Sequence, residues 1–356
     1  MGTTAFALVV APAAVAQAGG EHDGGGGVVE VAAGLSGPRG LADHEEGGLL
    51  VAESETSEVS SVDPWTGDVQ TVIRDVQNVQ GVDYRDGLVF VAVGSAEPEP
   101  GAAPPPEPPG VGEGGPGLLV FDTDGRELHE VDTLAYELAR NPDGQVQFVE
   151  GAPVDALSNP FAVLAQRHRV LIADAGGNAV LAVDTDDGEV STFFVPPTVT
   201  DVEGCENANP GTQGCDPVPT GVVEGPDGLI YVSTLGAEVP GAARVYVLSP
   251  RGDVVHVIPG LHAATGVEVD RRGNVYVSEL IEGAPETEVP PPGFDLSTVG
   301  QVVRIAPDGD RSYAQVPLPT GLAIQDGELY ASAWSLPLDP AQAGRVVRIG
   351  DDAFTG

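Results

Sequence analysis

One unit recurs six times along the chain, and that recurrence constrains the fold more than any other feature. Its clearest copy runs from Ala264 to Glu279, A-T-G-V-E-V-D-R-R-G-N-V-Y-V-S-E. Val267 and Val269 alternate with other residues, an Arg-Gly-Asn turn follows, and Val275 and Val277 resume the alternation. A period of two marks a half-buried strand, and the glycine supplies a tight turn between two of them. The other copies begin at Gly37, Val79, Ser158, Val218 and Leu318. Third and fourth strands follow the hairpin, at 59–62 and 69–73, 179–183 and 190–195, 244–248 and 254–258, and 301–305 and 311–316. Four antiparallel strands per unit make the blade of a β-propeller. Gly40 to Gly81 spans 41 residues and Gly221 to Gly266 spans 45, one blade each.

The expected fold is therefore all-β, a six-bladed propeller over residues 28–349. Six stacked units form one domain despite the length of 356 residues. The last unit offers only three strands, ending at 345–349, while 28–32 reads as a strand with no partner of its own. That N-terminal strand is expected to complete the sixth blade and close the ring, which removes the open edges. Residues 350–356 are left as a C-terminal tail, too short and polar for a strand. Insertions occupy 94–117, 129–157 (with a short helix over 134–140), 196–217, 280–299 and 335–343. Residues 126–157 lack the hairpin pattern of a seventh blade. Every insertion falls between the second and third strands of a blade or between consecutive blades. Both kinds of loop emerge on one face, so all the decoration sits over one mouth of the central channel.

Charge excludes several functions. The chain carries 54 acids against 15 bases, a formal charge of −39, and every base is arginine. Bare nucleic acid and anionic membranes need a cationic surface, so neither is an expected partner. The absence of lysine removes Schiff-base and lysine-nucleophile chemistry. So acidic a surface suits high salt, where screening relieves self-repulsion, although a compositional bias would produce it equally. Residues 1–18 form a short apolar run ending in A-x-A choices. They resemble a secretory signal without its cationic n-region, so the true start is expected upstream, the alternative being a non-cleaved apolar N-terminus. Residues 19–27 read as a Gly-rich leader. No stretch is long enough to span a membrane, and a secreted monomer is expected.

Three segments carry a family resemblance: D-T-L-A-Y-E-L-A-R-N-P-D-G (132–144), D-A-L-S-N-P-F (155–161) and V-L-I-A-D-A-G-G-N-A-V-L-A-V-D (170–184). Together they resemble the ScyD/ScyE family, exported proteins named for neighbours of scytonemin-pigment biosynthesis genes. The likeness covers about residues 28–349. It departs at Phe161-Ala162, where the family commonly has Tyr-Gly, and at the Pro-rich stretch 98–109. The resemblance implies an NHL/SMP-30-like six-bladed propeller and brings no established catalytic activity.

Few residues suggest chemistry. Cys205 and Cys215 are the only cysteines, and an even count in an exported chain favours a disulfide. G-x-G-x-x-G at Gly110, Gly112 and Gly115 follows a proline run and opens no helix, so it fails the context of a dinucleotide site. Asp-rich runs such as 184–188 read as turns between third and fourth strands. The six histidines, His22, His44, His129, His168, His256 and His262, share no metal-ligand spacing. In calcium-dependent lactonases of the SMP-30 type, carboxylates and Asn at the starts of the first strands hold the metal. The positions matched to them here are Arg39, Gln80, Asn159, Thr220, Thr265 and Thr320. That set has no carboxylate and contains a cation, which opposes Ca²⁺. Glu53, Asp174 and Glu279 recur at the ends of second strands, where capping of nearby turns is expected. The reading is a channel mouth that binds a small molecule or peptide, anionic if Arg39 recognises it, with no cofactor and no catalytic residue. The alternatives are a metal-dependent lactonase-like hydrolase or an accessory enzyme of secondary metabolism, with Ca²⁺ as the candidate metal, and a structural or surface-interaction module.

Overall fold

Second strands such as Gly48–Glu53 (G-L-L-V-A-E) and Arg169–Asp174 (R-V-L-I-A-D) are almost continuously apolar and buried along their length. A strand of that kind needs cover on both faces, and stacked blades supply it. The computed structural model describes residues 27–44, 47–95, 111, 115–149, 152–155, 157–206, 214–285, 291, 293–339 and 341–356. The apolar run 1–18, all of the Gly-rich leader except Gly27, the Pro-rich stretch 98–109, and Gly110 and Gly112 lie outside these residues.

Strand β1 spans Val28–Leu35. Blade 1 contains β2 (Pro38–His44), β3 (Gly48–Glu53), β4 (Glu58–Val62) and β5 (Val69–Ile73). Blade 2 contains β6 (Val79–Arg85), β7 (Leu88–Val93), β8 (Gly117–Asp122) and β9 (Glu127–Asp132). Helix α1 (Thr133–Arg140) and a hairpin of β10 (Val146–Val149) and β11 (Ala152–Asp155) follow. Blade 3 contains β12 (Pro160–Ala165), β13 (Arg169–Asp174), β14 (Ala179–Asp184) and β15 (Val190–Phe194). Blade 4 contains β16 (Pro219–Glu224), β17 (Ile230–Thr234), β18 (Ala243–Leu248) and β19 (Val254–Leu261). Blade 5 contains β20 (Ala264–Val269), β21 (Val275–Glu279), β22 (Gln301–Ile305) and β23 (Arg311–Gln315). Blade 6 contains β24 (Leu322–Gln325), β25 (Glu328–Ala333) and β26 (Gly344–Ile349), with β1 outermost. The first strand of each blade lies innermost, against the first strands of the blades before and after it.

The core lies between blades. Leu50, Val59 and Ile73 of blade 1 pack on Val82, Val91 and Leu119 of blade 2. Tyr231 and Val245 of blade 4 meet Val267, Val277 and Val303 of blade 5 in the same way. At the axis the packing is backbone on backbone. A Cβ added at Gly40, Gly81, Gly221, Gly266 or Gly321 would lie closer than 3.0 Å to main-chain atoms of the next blade's first strand. Blade 3 has Ala162 at this level, since Ala162 pairs with Ala173 as Gly81 pairs with Ala92.

The ring is closed by β1, which pairs antiparallel with β26 from Val28↔Ile349 to Leu35↔Gly344. The tail beyond β26 is ordered and does more than the sequence suggests. Thr355 exchanges both backbone hydrogen bonds with Tyr313 of β23. Phe354 lies under the Arg304 guanidinium, 4.5 Å from ring centroid to Cζ, and beside Tyr276. Asp352 accepts from Gly27 N at 2.9 Å and Gly350 N donates to Gly27 O at 3.0 Å. Residues 350–356 therefore tie the start of β1 to blade 5.

Two insertions are also clear. Asp132 caps α1 by accepting from Ala135 N, and Asn141 ends it in the left-handed region. The hairpin β10–β11 corrects the expectation that 126–157 contains none. Pro153 hides it from pattern reading, because proline is tolerated in a strand only at an edge, and a two-stranded hairpin is all edge. Cys205 and Cys215 form a disulfide and are fully buried with Val199 and Ala242.

Deleting residues 19–33 removes most of the closing strand and buried Ala32. The melting temperature should fall by about 5–15 °C, the equivalent of several kcal/mol in a chain of this size, as read by circular dichroism. Phe354→Ala should produce a smaller drop of about 2–4 °C. Replacing both cysteines by alanine should cost about 3 kcal/mol in the chain-entropy model, measured by urea unfolding.

Candidate functional site

The residue just before the axial glycine starts the wall of the channel. Strand register identifies it in every blade: Arg39, Gln80, Phe161, Thr220, Thr265 and Thr320. Asn159 does not belong to this ring. Pro160 pairs with Asp174 as Pro38 pairs with Glu53, so Phe161 takes the position matched to Asn159 from sequence. The mismatch arises because blade 3 lacks the anchoring glycine.

The three threonines are buried and their hydroxyls are engaged. Thr220 Oγ1 donates to Ala264 O at 2.7 Å, Thr265 Oγ1 to Pro319 O at 3.2 Å, and Thr320 Oγ1 to Arg39 O at 2.9 Å. Each bond joins one blade to the next, so these side chains latch the ring. Arg39 leans towards the second-to-third strand loop of its own blade, where Nε donates to Ser54 Oγ at 3.3 Å. Asn159 Oδ1 accepts from Ser95 N at 3.0 Å and clips its loop to that of blade 2. Gln80 sits beside the same clip, against Gly94.

Glu53, Asp174 and Glu279 each hold the loop leading into their own blade. Glu53 accepts from Ser36 N at 2.8 Å. Glu279 accepts from His262 N at 2.8 Å and Gln301 Nε2 at 2.6 Å. Asp174 accepts from Ser158 Oγ, Asn159 N, Gly176 N and Gly177 N, between 2.6 and 3.1 Å. Burial pushes all three carboxyls up, and these hydrogen bonds oppose it. The N-P-D-G and S-N-P-F segments meet here: Asp143 accepts from Asn178 Nδ2 at 3.1 Å, and Ser158 and Asn159 bind Asp174. Their role in this chain is to shape the loop platform over blade 3.

Below this level the six first strands enclose a cavity of about 470 Å³, within the usual range for small-molecule pockets. Its wall includes Arg39, Phe161 and the three threonines on the loop side, but neither Gln80 nor Asn159. Two residues beyond the axial glycine, register places Ala42, Asp83, Leu164, Val223, Glu268 and Ala323 at one level. Blades 2 and 5 stand three apart in a ring of six. Asp83 and Glu268 therefore oppose each other across the axis, with aliphatic residues between them on both sides. Asp43, Asp86 and Glu224 stand exposed nearer the hairpin-side rim. These inner carboxyls are absent from the sequence-based ring. Comparing the residue two after the glycine in each repeat would have found them.

Their environment is unusual for carboxylates. Asp83 Oδ2 accepts from Ala165 N at 2.6 Å and Oδ1 from its neighbour Tyr84 N at 2.8 Å. Desolvation nevertheless pushes Asp83 up to about 7, with Asp43 adding to the rise and Arg85 opposing it. Among the described residues Glu268 accepts one hydrogen bond, from Val269 N at 3.3 Å. Desolvation raises it to about 8, and the charges of Asp43 and Asp83 raise it further. Two carboxyls sharing an enclosed channel exchange protons near neutrality, the property expected of ligand-linked or acid–base groups.

A divalent metal of the SMP-30 kind does not fit the loop-side donors. Glu53, Asp174 and Glu279 are turned to backbone N–H groups, the ring offers a guanidinium, and no group of three His, Cys, Asp or Glu among the described residues is placed to hold a metal ion.

No family model and no curated protein matches this sequence. Among solved structures the chain is similar to a gluconolactonase from Xanthomonas campestris, at 12% identity over 90% of this chain and 89% of that one, with a TM-score of 0.55. It is similar to regucalcin, a calcium-binding protein from Agrobacterium tumefaciens, at 13% identity over 91% and 93%, with a TM-score of 0.55. It is also similar to the PQQ-bound aldose sugar dehydrogenase from Streptomyces coelicolor, at 15% identity over 92% and 99%, with a TM-score of 0.52. At such identities the likeness carries the fold alone, a six-bladed β-propeller.

The raised carboxyls make stability depend on pH in a definite direction. Asp83 and Glu268 bind protons more tightly folded than unfolded, where their ordinary values are 3.8 and 4.5. Their contribution is complete below about pH 4 and is lost as pH rises through about 7 and 8. Asp63, held down chiefly by the Trp65 N–H, acts in the opposite sense and only in acid. Melting temperature should therefore fall by about 5 °C or more from pH 5 to pH 9. Glu268→Gln should flatten that slope and melt at or above wild type at pH 9, as read by differential scanning calorimetry.

Proposed function

We propose that this chain is an exported small-molecule-binding propeller of the ScyD/ScyE kind, whose ligand occupies the central channel and enters beneath the loop-decorated mouth. The observation that carries the reading is the cavity on the propeller axis, large enough for a small molecule and lined by both charged and aliphatic side chains. The buried disulfide supports export, since such bonds persist in oxidising compartments. Among the described residues no helix is long and apolar enough to cross a membrane. The ScyD/ScyE assignment rests on the sequence segments 132–144, 155–161 and 170–184, which build the platform over blade 3.

On this reading Arg39 contributes recognition at the loop-side end of the channel. Its guanidinium is one of two on the cavity wall, and the other, Arg85, pairs with Asp86 at 3.4 Å near the opposite rim. A planar cation suits a carboxylate or similar anion. Gln80 and Asn159 shape the loops around the mouth, and Thr220, Thr265 and Thr320 act through the ring they latch. The lactonase alternative draws on the likeness to a gluconolactonase, but the loop-side residues lack the free carboxylates its metal would require.

Benzoate, gluconate and citrate should be screened by thermal shift against wild type and Arg39→Ala. At least one should raise the wild-type melting temperature by about 2 °C or more, equivalent to saturation well above its dissociation constant, and leave the variant unmoved. Equal shifts in both proteins would remove Arg39 from the site. Hydrolysis of δ-gluconolactone above the spontaneous rate, dependent on added Ca²⁺ or Zn²⁺ and abolished by a chelator, would replace the binding reading with the enzymatic one.

A further inference from the structure

The cavity has two unlike ends, and the hairpin side remains without an assigned role. Its charged residues are Asp43, Asp83, Arg85, Asp86, Glu224 and Glu268. Three of them are engaged by other side chains. Arg85 and Asp86 pair with each other. Glu224 accepts from Gln166 Nε2 at 2.5 Å and faces Arg169. Asp83 and Glu268 remain, opposed across the axis, with Asp43 at the rim beyond them and His44 beside Asp43. His44 stacks on Tyr84, ring centroids 4.4 Å apart.

We propose that the hairpin side of the channel binds a small primary ammonium ion on the propeller axis, held between Asp83 and Glu268 with its alkyl stem against Leu164 and Val223. The inference rests on the channel being a ligand site and assigns the chemistry of its second end. The argument is geometric. Opposed carboxyls flanked by aliphatic walls at the same level match a compact cation on a short apolar stem. A carboxylate oxygen has two acceptor positions, so an oxygen already taking one backbone N–H still accepts from an ammonium. Glu268 is the less committed of the pair, because its one hydrogen bond is long at 3.3 Å.

A metal ion suits the site less well. Both oxygens of Asp83 accept main-chain N–H groups, and a metal would have to replace or share those bonds. Glu268 stands on the far wall, and hard cations prefer several oxygens around one centre. The ammonium also answers the electrostatic problem of two carboxyls in one channel. Two carboxyls facing each other in a confined space favour a shared proton over two charges. An entering cation displaces that proton, so binding should release protons near neutral pH and tighten as pH rises.

The test is isothermal titration calorimetry of the full chain with n-butylammonium chloride in 0.5 M KCl, a salt concentration on the order of that which screens the acidic surface. Saturable one-to-one binding is expected at pH 9, where the amine remains protonated and the carboxyls are ionised. Affinity should drop about tenfold or more at pH 6, and the heat at pH 7.5 should vary with the ionisation enthalpy of the buffer. Glu268→Gln should weaken binding about tenfold or more, which is the loss of one charged hydrogen bond. A protein bearing Asp186→Asn and Asp187→Asn in an exposed turn of blade 3 should bind like wild type. Tetramethylammonium, which has no N–H, should bind at least about tenfold more weakly. The proposal is overturned by no saturable heat at pH 9, by equal affinity in wild type and Glu268→Gln, or by Ca²⁺ competing with the amine in a Glu268-dependent way, which would make the site a metal site. The melting curve of Glu268→Gln separates lost binding from lost fold. Failure here, with Arg39-dependent anion shifts retained, would leave the channel-binding reading intact and remove only the amine.

Discussion

The contact on which the rest of the molecule depends is the backbone-to-backbone packing of six first strands around the axis. Glycine at five of the six positions lets neighbouring strands approach until a Cβ would collide with main-chain atoms. Close approach brings the carbonyls of one blade within reach of the preceding blade's side chains. Thr220, Thr265 and Thr320 use that proximity, and each donates across a blade boundary. Buried hydroxyls that bond the next blade cost little, because their polar atoms are satisfied. The same residues are thereby withdrawn from ligand recognition. Packing at the axis and chemistry at the mouth compete for one ring of positions, and in blades 4, 5 and 6 packing prevails.

That competition moves the charge down the channel. At the loop-side level the wall is mostly backbone, buried threonine and Phe161, with Arg39 as its one formal charge. Two to three residues further along the strands, roughly 7–10 Å by strand rise, Asp83 and Glu268 face each other. Asp83 also latches its blade to the next, since Ala165 N donates to it. One side chain there serves both structure and electrostatics. Its counterpart Glu268 takes its hydrogen bond from Val269 N on its own strand. The two ends of the cavity thus differ in sign, which suits a bipolar ligand better than a uniformly charged one.

The fold was legible because the features that determine it repeat. Period-two alternation, turn glycines and the axial glycine recur at blade spacing, so the strand pattern and the six units could be read directly. The disulfide was legible because two cysteines have only one pairing. Legibility failed where a blade departs from the repeat. Ala162 replaces the axial glycine in blade 3, and without that anchor Asn159 was aligned to a position that belongs to Phe161. The tail escaped for a related reason. Phe354 and Thr355 are unremarkable in a polar heptapeptide, and only the three-dimensional proximity of Arg304, Tyr276 and Tyr313 makes them a clasp. The opposed carboxyls lay in plain sight, in one column of the repeat, but a column matters only once the ring shows which of its members face each other.

Donor supply finally decides what each set of carboxyls does. Glu53, Asp174 and Glu279 end second strands, opposite the points where loops turn into first strands, and a turning backbone presents N–H groups without strand partners. Those groups need acceptors when buried, and the carboxyls provide them: four donors reach Asp174 alone. A carboxylate so saturated is a structural cap with little capacity left for a metal or a substrate. Asp83 and Glu268 lie mid-strand on first strands, whose axis-facing edge leaves only scattered N–H groups: two reach Asp83, and one reaches Glu268 at 3.3 Å. Burial outweighs these few bonds, and both carboxyls hold protons near neutrality. Similar side chains on one scaffold therefore separate into caps at the loop-side face and exchangeable groups inside the channel. The separation follows from how many unpaired backbone donors each position is offered, and it places the exchangeable carboxyls on the side away from the decorated loops.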